Sequence, residues 1–221
     1  MSSAVARDML GELEAALDKV PVIPVLVIDD AADAVPIARA LAAGGLPIAE
    51  VTLRTPAAPD AIAAIAEQVP EGLVGAGTVL NGEQVDIAKS AGATFIVSPG
   101  LSESVINASE IAGIPSIPGV ATASEVQRAW NLGLRTLKFF PAVQAGGPAM
   151  IKALASAFRQ VRFIPTGGIT ADNLSDFLAL APVIACGGSW LAPAKIVETG
   201  DFATVENRAR EALAIASNSS G

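Results

Sequence analysis

Two stretches near the carboxyl end decide the fold: Arg162-Phe163-Ile164-Pro165-Thr166-Gly167-Gly168-Ile169 and Val183-Ile184-Ala185-Cys186-Gly187-Gly188-Ser189-Trp190. Each is an apolar run of strand length that ends in a Gly-Gly turn. Similar β-rich runs begin near Val22, Ile48, Leu73, Thr94, Ser116 and Thr136. Together they make about eight strands at a spacing of roughly 20 to 26 residues. Between them lie Ala-rich periodic segments at 32–43, 57–69, 82–91, 102–112, 124–132, 148–158 and 170–180. Asp, Ser, Thr or Asn often opens these segments, as a helix N-cap requires. Alternating strands and helices predict a parallel sheet. The short βα spacings and the two Gly-Gly turns predict an α/β fold of the (β/α)8 TIM barrel type. An open doubly wound sheet is the other arrangement that strand counting allows.

Met1 to Val20 carries Arg7, Asp8, Glu12, Glu14, Asp18 and Lys19 among its apolar positions. A signal peptide needs an uninterrupted apolar centre, so this segment reads as an extra amino-terminal amphipathic helix. No Ser/Gly linker divides the chain, which predicts one domain over 1–216 and a disordered tail over 217–221. Of the 221 residues 52% are hydrophobic, yet no run approaches the roughly 18 apolar residues of a membrane span. The expected location is the cytoplasm, with no membrane partner. A net charge of −8 has the wrong sign for a nucleic-acid binder. The one cysteine, Cys186, reads as a small buried hydrophobe, and no disulfide is possible within the chain.

Absent residues constrain the chemistry further. The chain has no His and no Tyr, which removes the commonest general base and the commonest metal ligand together. Lys, Arg, Asp, Glu, Ser, Thr and backbone groups remain. Of five lysines, Lys138 alone lies mid-strand among large apolar residues, in Thr136-Leu137-Lys138-Phe139-Phe140-Pro141. Removing an ammonium from water disfavours its charged form, and the neutral amine is the nucleophile. A lysine snorkelling from a strand end is the plainer explanation. Glu50 is the second anomaly, alternating with Ile48 and Thr52 in an apolar strand; a structural ion pair or an edge residue would explain it equally well. Arg54 follows at that strand's carboxyl end, where barrel sites assemble, and could clamp a carboxylate or form a surface salt bridge. The turns after the seventh and eighth strands expose amides where barrels often hold phosphate, although Gly-Gly turns also occur for steric reasons.

These segments resemble the 2-keto-3-deoxy-6-phosphogluconate (KDPG) and 4-hydroxy-2-oxoglutarate (KHG) aldolase family over nearly the whole chain. The resemblance rests on Pro21-Val22-Ile23-Pro24-Val25, Glu50-Val51-Thr52-Leu53-Arg54-Thr55, Gly75-Ala76-Gly77-Thr78-Val79-Leu80 and Val97-Ser98-Pro99-Gly100. Lys138-Phe139-Phe140-Pro141-Ala142, Pro165-Thr166-Gly167-Gly168-Ile169 and Gly187-Gly188-Ser189-Trp190 complete it. It implies a class I aldolase with Lys138 as Schiff-base lysine, Glu50 as proton shuttle and Arg54 as carboxylate anchor. By the same resemblance Thr78, Pro99 and Phe140 line the keto-acid pocket, while Thr166, Gly167, Gly168, Gly188 and Ser189 hold a distal phosphate. No metal or cofactor is implied, the substrate is a phosphorylated 2-keto acid, and the assembly is a homotrimer. Val143 stands where the family often has an acid. The Thr-Leu-Arg-Thr and Lys-Phe-Phe-Pro wording favours the gluconate substrate over its galactonate epimer, with KHG cleavage as a second activity. Two other functions remain open on the residues alone: a phosphosugar isomerase or synthase on a related barrel, and a noncatalytic barrel that binds an anionic metabolite.

Overall fold

Short β-branched and apolar runs form nine strands among the described residues, and the pairings between them are parallel. The computed structural model describes residues 2–219. The strands are β1 (Val22–Leu26), β2 (Ile48–Thr52), β3 (Leu73–Gly77), β4 (Ile96–Val97), β5 (Ser116–Ile117), β6 (Gly119–Val120), β7 (Thr136–Phe139), β8 (Arg162–Pro165) and β9 (Cys186–Gly188). One sheet runs in the order β5-β4-β3-β2-β1-β9 and a second in the order β6-β7-β8. Pro118 separates β5 from β6, because a residue without N–H cannot donate to a ladder, while its carbonyl still accepts from the Lys138 N–H at 3.0 Å. Isolated parallel bridges join Phe163 to Val183 and Thr166 to Gly187. The run expected from Val183 thus meets the β8 side through isolated bridges and pairs with β1 only from Cys186. Pro182 precedes it and offers a carbonyl, accepting from Phe163 N at 2.7 Å.

Parallel neighbours need crossovers, and helices supply them. They are α2 (Ala34–Ala43), α3 (Ala58–Gln68), α4 (Gly82–Ser90), α5 (Glu103–Ala112), α6 (Ala123–Asn131), α7 (Gly147–Ala157) and α8 (Leu174–Leu178). Asn81, Ser102 and Thr122 each cap a helix by accepting from the N–H three residues on, Thr122 as part of a reciprocal capping box with Glu125. Helix α8 is shorter than the 170–180 segment expected. The Asn173 side chain accepts from Thr170 N at 2.9 Å and keeps the preceding residues in a turn.

Ahead of β1 lies α1 (Ser2–Leu17), and after β9 come α9 (Ala194–Glu198) and α10 (Phe202–Ser219). The last two had no counterpart in the sequence reading. Helix α10 buries Val205, Ala209, Ala212 and Ala216, a face of small side chains with little hydrophobic contrast. It packs so closely on α2 that a Cβ at Gly44 would lie 2.5 Å from Ala209 Cβ. The expected tail begins inside this helix: Ser217 and Ser219 hydroxyls donate to carbonyls four residues back. Residues 220 and 221 lie outside the described residues.

Two apolar clusters hold these layers together. The larger fills the space between strands and helices. The smaller gathers inward-alternating strand residues, Ile23, Ile48, Phe95, Val97, Ile117, Ile164 and Ala185, with Leu13 and Leu17 of α1. Glu14 of the same helix accepts from the Thr136 hydroxyl and pairs with Arg162, so α1 is tied to the starts of β7 and β8.

Candidate active site

Above this apolar floor the inward faces of β2 and β7 carry charge. Strand alternation puts Ile48, Glu50 and Thr52 on one face, and Thr136, Lys138 and Phe140 on another. Ile48 belongs to the interior cluster, so Glu50 points inward one step above it. Lys138 Nζ donates to Glu50 Oε1 at 3.1 Å, and the two side chains are 7% and 3% exposed. Among the described residues these are the buried charged side chains. Burying two ions costs several kcal/mol each before their attraction is counted, on the order of what apolar replacements would avoid. Such a pair is weak evidence for stability and points to chemistry.

Neighbouring strands make room for it. A Cβ on Gly77 of β3 would lie 2.2 Å from Glu50 Oε1 and 2.6 Å from its Cγ, so only glycine leaves the carboxylate its place. The Thr52 hydroxyl is held by Leu26 O at 2.9 Å, and the Phe140 ring centroid lies 5.4 Å from Lys138 Nζ. Thr78 adopts φ +55°, a left-handed conformation unusual for a β-branched residue. Strained backbone of this kind gathers at functional sites. The Ser98 hydroxyl donates to Gly100 O at 2.8 Å and fixes the turn that presents Pro99.

A cavity of about 390 Å³ opens above the ion pair. It is lined by Val25, Glu50, Thr52, Arg54, Thr78, Pro99, Lys138, Phe140, Thr166, Gly167, Gly168, Ile169, Gly187 and Ser189. Every expected site residue except Gly188 is therefore brought to one place. At Gly188 strand alternation reverses the side: a Cβ there would strike the Trp190 ring at 1.6 Å, whereas one on Gly187 would meet Thr166 Oγ1 at 2.3 Å. Gly187 replaces Gly188 in the lining. Val25, Thr52 and Ile169 are the other additions. Thr52 shares the alternation of Glu50, and Val25 is the register partner of Glu50 across β1 and β2; nothing in the sequence marks Ile169.

Arg54 is exposed at the cavity mouth, and its guanidinium has no acidic partner among the described residues. The surface salt bridge weighed for it does not form there. In the same lining, Gly167 and Gly168 take φ +100° and +80°, a turn that side chains would strain. Cys186 is fully buried and burial pushes its thiol up, so it is no rival nucleophile. Among the described residues no three His, Cys, Asp or Glu side chains converge as a metal site would require.

Comparison with known proteins gives this geometry a lineage. Residues 13–208 match the family model described as KDPG and KHG aldolase. The chain belongs to the KDPG and KHG aldolase family. A relative from Escherichia coli K12 named KHG/KDPG aldolase is 50% identical over 200 residues, covering 90% of this chain and 94% of the relative. The crystal structure of the Zymomonas mobilis ZM4 2-keto-3-deoxy-6-phosphogluconate aldolase with 3-phosphoglycerate superposes with a TM-score of 0.86. It is 46% identical, with 94% of this chain and 95% of that one covered. KDPG aldolase from Legionella pneumophila, with pyruvate captured as a covalent carbinolamine, gives a TM-score of 0.86 at 41% identity. The match covers 89% of this chain and 96% of that one. Aldolases of this family are lyases that work through a Schiff base, for which a buried lysine amine is the required element.

Proposed function

We propose that this protein cleaves 2-dehydro-3-deoxy-6-phosphogluconate to pyruvate and glyceraldehyde 3-phosphate through an imine on Lys138. The observation that carries the proposal is the Lys138 amine, buried at the cavity base 3.1 Å from a single carboxylate. The amine adds to the C2 carbonyl, and the carbinolamine loses water to give a protonated imine. That cation draws the electrons of the C3–C4 bond as the C4 hydroxyl loses its proton, releasing the aldehyde and leaving a pyruvate enamine. Protonation at C3 and hydrolysis return the amine. Glu50, in hydrogen-bond contact with Nζ, moves the protons. Arg54 takes the substrate carboxylate at the mouth and turns a bound substrate into an oriented one. Thr78, Pro99 and Phe140 line the reacting end, and the loops at Thr166–Gly168 and Gly187–Ser189 receive the phosphate.

The pyruvate carbinolamine in the Legionella enzyme and the phosphorylated acid in the Zymomonas enzyme support both halves of this assignment. Cleavage of 4-hydroxy-2-oxoglutarate to pyruvate and glyoxylate is the second activity proposed, because the keto-acid half is the same. An isomerase or a purely binding barrel would leave the buried Lys138–Glu50 pair without a use. The two sheets are proposed to form one closed (β/α)8 barrel in a single domain, with α1 as an added amino-terminal helix. Supporting closure, one residue separates β5 from β6, and two bridges link β8 to the β9 segment. A homotrimer is proposed from the family resemblance, with Leu80 (57% exposed) and Ile111 (80%) among the apolar side chains available to an interface. We place the protein in the cytoplasm; among the described residues no helix is long and apolar enough to cross a membrane.

Pyruvate and sodium borohydride, followed by peptide mapping, test the central step. A reduced pyruvate adduct on the peptide holding Lys138, lost in Lys138→Ala, is the expected result. An adduct on another lysine, or none, overturns the mechanism.

A further inference from the structure

Two side chains outside the cavity hold the loops at its phosphate end. Asn173 spans the first loop, its Nδ2 donating to Gly168 O at 3.0 Å and its Oδ1 accepting from Thr170 N at 2.9 Å. Arg208 holds the second: from α10 its Nη1 donates to Trp190 O. The Trp190 indole in turn lies against Gly188, where there is no space for a Cβ. Arg208 is anchored by its neighbours, since Val205 and Ala209 on the same helix are buried in the core.

Loop amides recognise an anion well only when their direction is set before it arrives, since ordering them on binding subtracts from affinity. Gly167 and Gly168 supply the unusual backbone angles but also a large conformational freedom. Without a clasp, that freedom would have to be lost on binding.

We infer that Asn173 and Arg208 are positioning residues that set this protein's preference for a phosphorylated over an unphosphorylated substrate. The inference rests on the proposed aldolase reading, in which these loops receive the phosphate. Neither residue lines the cavity around Lys138, Glu50 and Arg54, so loosening the loops leaves the reacting end in place.

The test compares 2-dehydro-3-deoxy-6-phosphogluconate with its unphosphorylated counterpart 2-dehydro-3-deoxygluconate in Asn173→Ala, Arg208→Met, Arg208→Lys and Ser189→Ala. For Asn173→Ala and Arg208→Met, kcat/KM on the phosphorylated substrate should fall roughly tenfold, mostly in KM, as loss of one well-placed hydrogen bond allows. On the unphosphorylated substrate it should change less than threefold, with pyruvate trapping at the parent rate. Arg208→Lys, which keeps a donor for Trp190 O, should recover part of the loss. Equal losses on both substrates would mean a structural role only and would overturn the inference. If Ser189→Ala shifts the ratio while Asn173→Ala and Arg208→Met do not, the positioning inference fails and the phosphate reading stands. If none of the variants shifts the ratio, both fail.

Discussion

Gly77→Ala places one methyl group against Glu50, the carboxylate proposed to move protons. The new Cβ would stand 2.2 Å from Glu50 Oε1, 2.6 Å from Cγ and 2.7 Å from Cδ. Ordinary contact begins near 3.4 Å, so the carboxylate must retreat by about 1.2 Å. Glu50 is 2% exposed and hemmed by the strands, so the retreat strains or breaks its 3.1 Å hydrogen bond to Lys138. A misplacement near 1 Å at reacting groups lowers turnover roughly 100-fold, equivalent to about 2.7 kcal/mol of barrier. Overpacking a filled interior costs about 1 to 3 kcal/mol of stability as well. The backbone itself objects little, because Gly77 has no positive φ. Pyruvate release followed through lactate dehydrogenase measures turnover, borohydride trapping measures imine formation, and thermal melting registers the packing penalty. Trapping should persist at a reduced rate while turnover falls. Turnover within twofold of the parent in a folded variant would refute the idea that Gly77 fixes Glu50, and with it the importance of that carboxylate's position.

Further tests probe strain, burial and capping. Thr78→Gly relieves a left-handed β-branched residue, a strain of about 1 to 3 kcal/mol set against glycine's larger unfolded entropy. It should melt no lower than the parent by calorimetry yet turn over more slowly; a clear fall in melting temperature would contradict the strain. Cys186, with its thiol pushed up by burial, should resist iodoacetamide for hours in the native protein and react within minutes in guanidinium. Rapid native labelling would show the strand β9 region to be open. Burial alone would raise the Glu125 carboxyl, but hydrogen bonds from Ala121 and Thr122 outweigh it and hold the group below its ordinary value. The ionised form's contribution is therefore present above the ordinary carboxyl range and is lost as pH falls through the depressed value. Melting temperatures of the parent and Glu125→Gln should differ most near neutrality and converge toward about pH 3, and a gap that widens on acidification would reverse the sign.

How legible all this was depended on contrast. Lys138 and Glu50 were visible because a charge in an apolar strand is rare, and period-two alternation gave their faces without a structure. What alternation could not give was that β2 and β7, in different sheets and 88 residues apart, bring them to 3.1 Å. Helix caps were readable as local chemistry. Helix α10 was not, because its buried face is mostly alanine and differs little in hydropathy from its exposed one. Pro118 broke a ladder that the sequence pattern treated as continuous, through an absent N–H group that hydrophobicity does not register. Gly187 and Gly188 are chemically identical; only the register that puts Thr166 beside one and Trp190 beside the other separates their positions.

The apolar floor gives a physical basis for the proposal that one lysine and one glutamate carry the chemistry of a chain without histidine. Leu13 and Leu17 close the interior beneath the pair together with Ile48, Phe95, Val97 and Ile164, so Lys138 meets solvent and substrate from the cavity side. In surroundings of low polarity a charge responds strongly to its few neighbours. An incoming keto acid brings a carboxylate that would compete with Glu50 for the lysine, and Arg54, without an acidic partner among the described residues, is proposed to offer it a better-matched planar partner. In the proposed mechanism Glu50 is then left as the acceptor within reach of Nζ, free to carry protons through the imine steps. On the proposed reading, anion binding at the Gly-Gly loops, which line the same cavity, adds orienting energy without calling on Lys138 or Glu50.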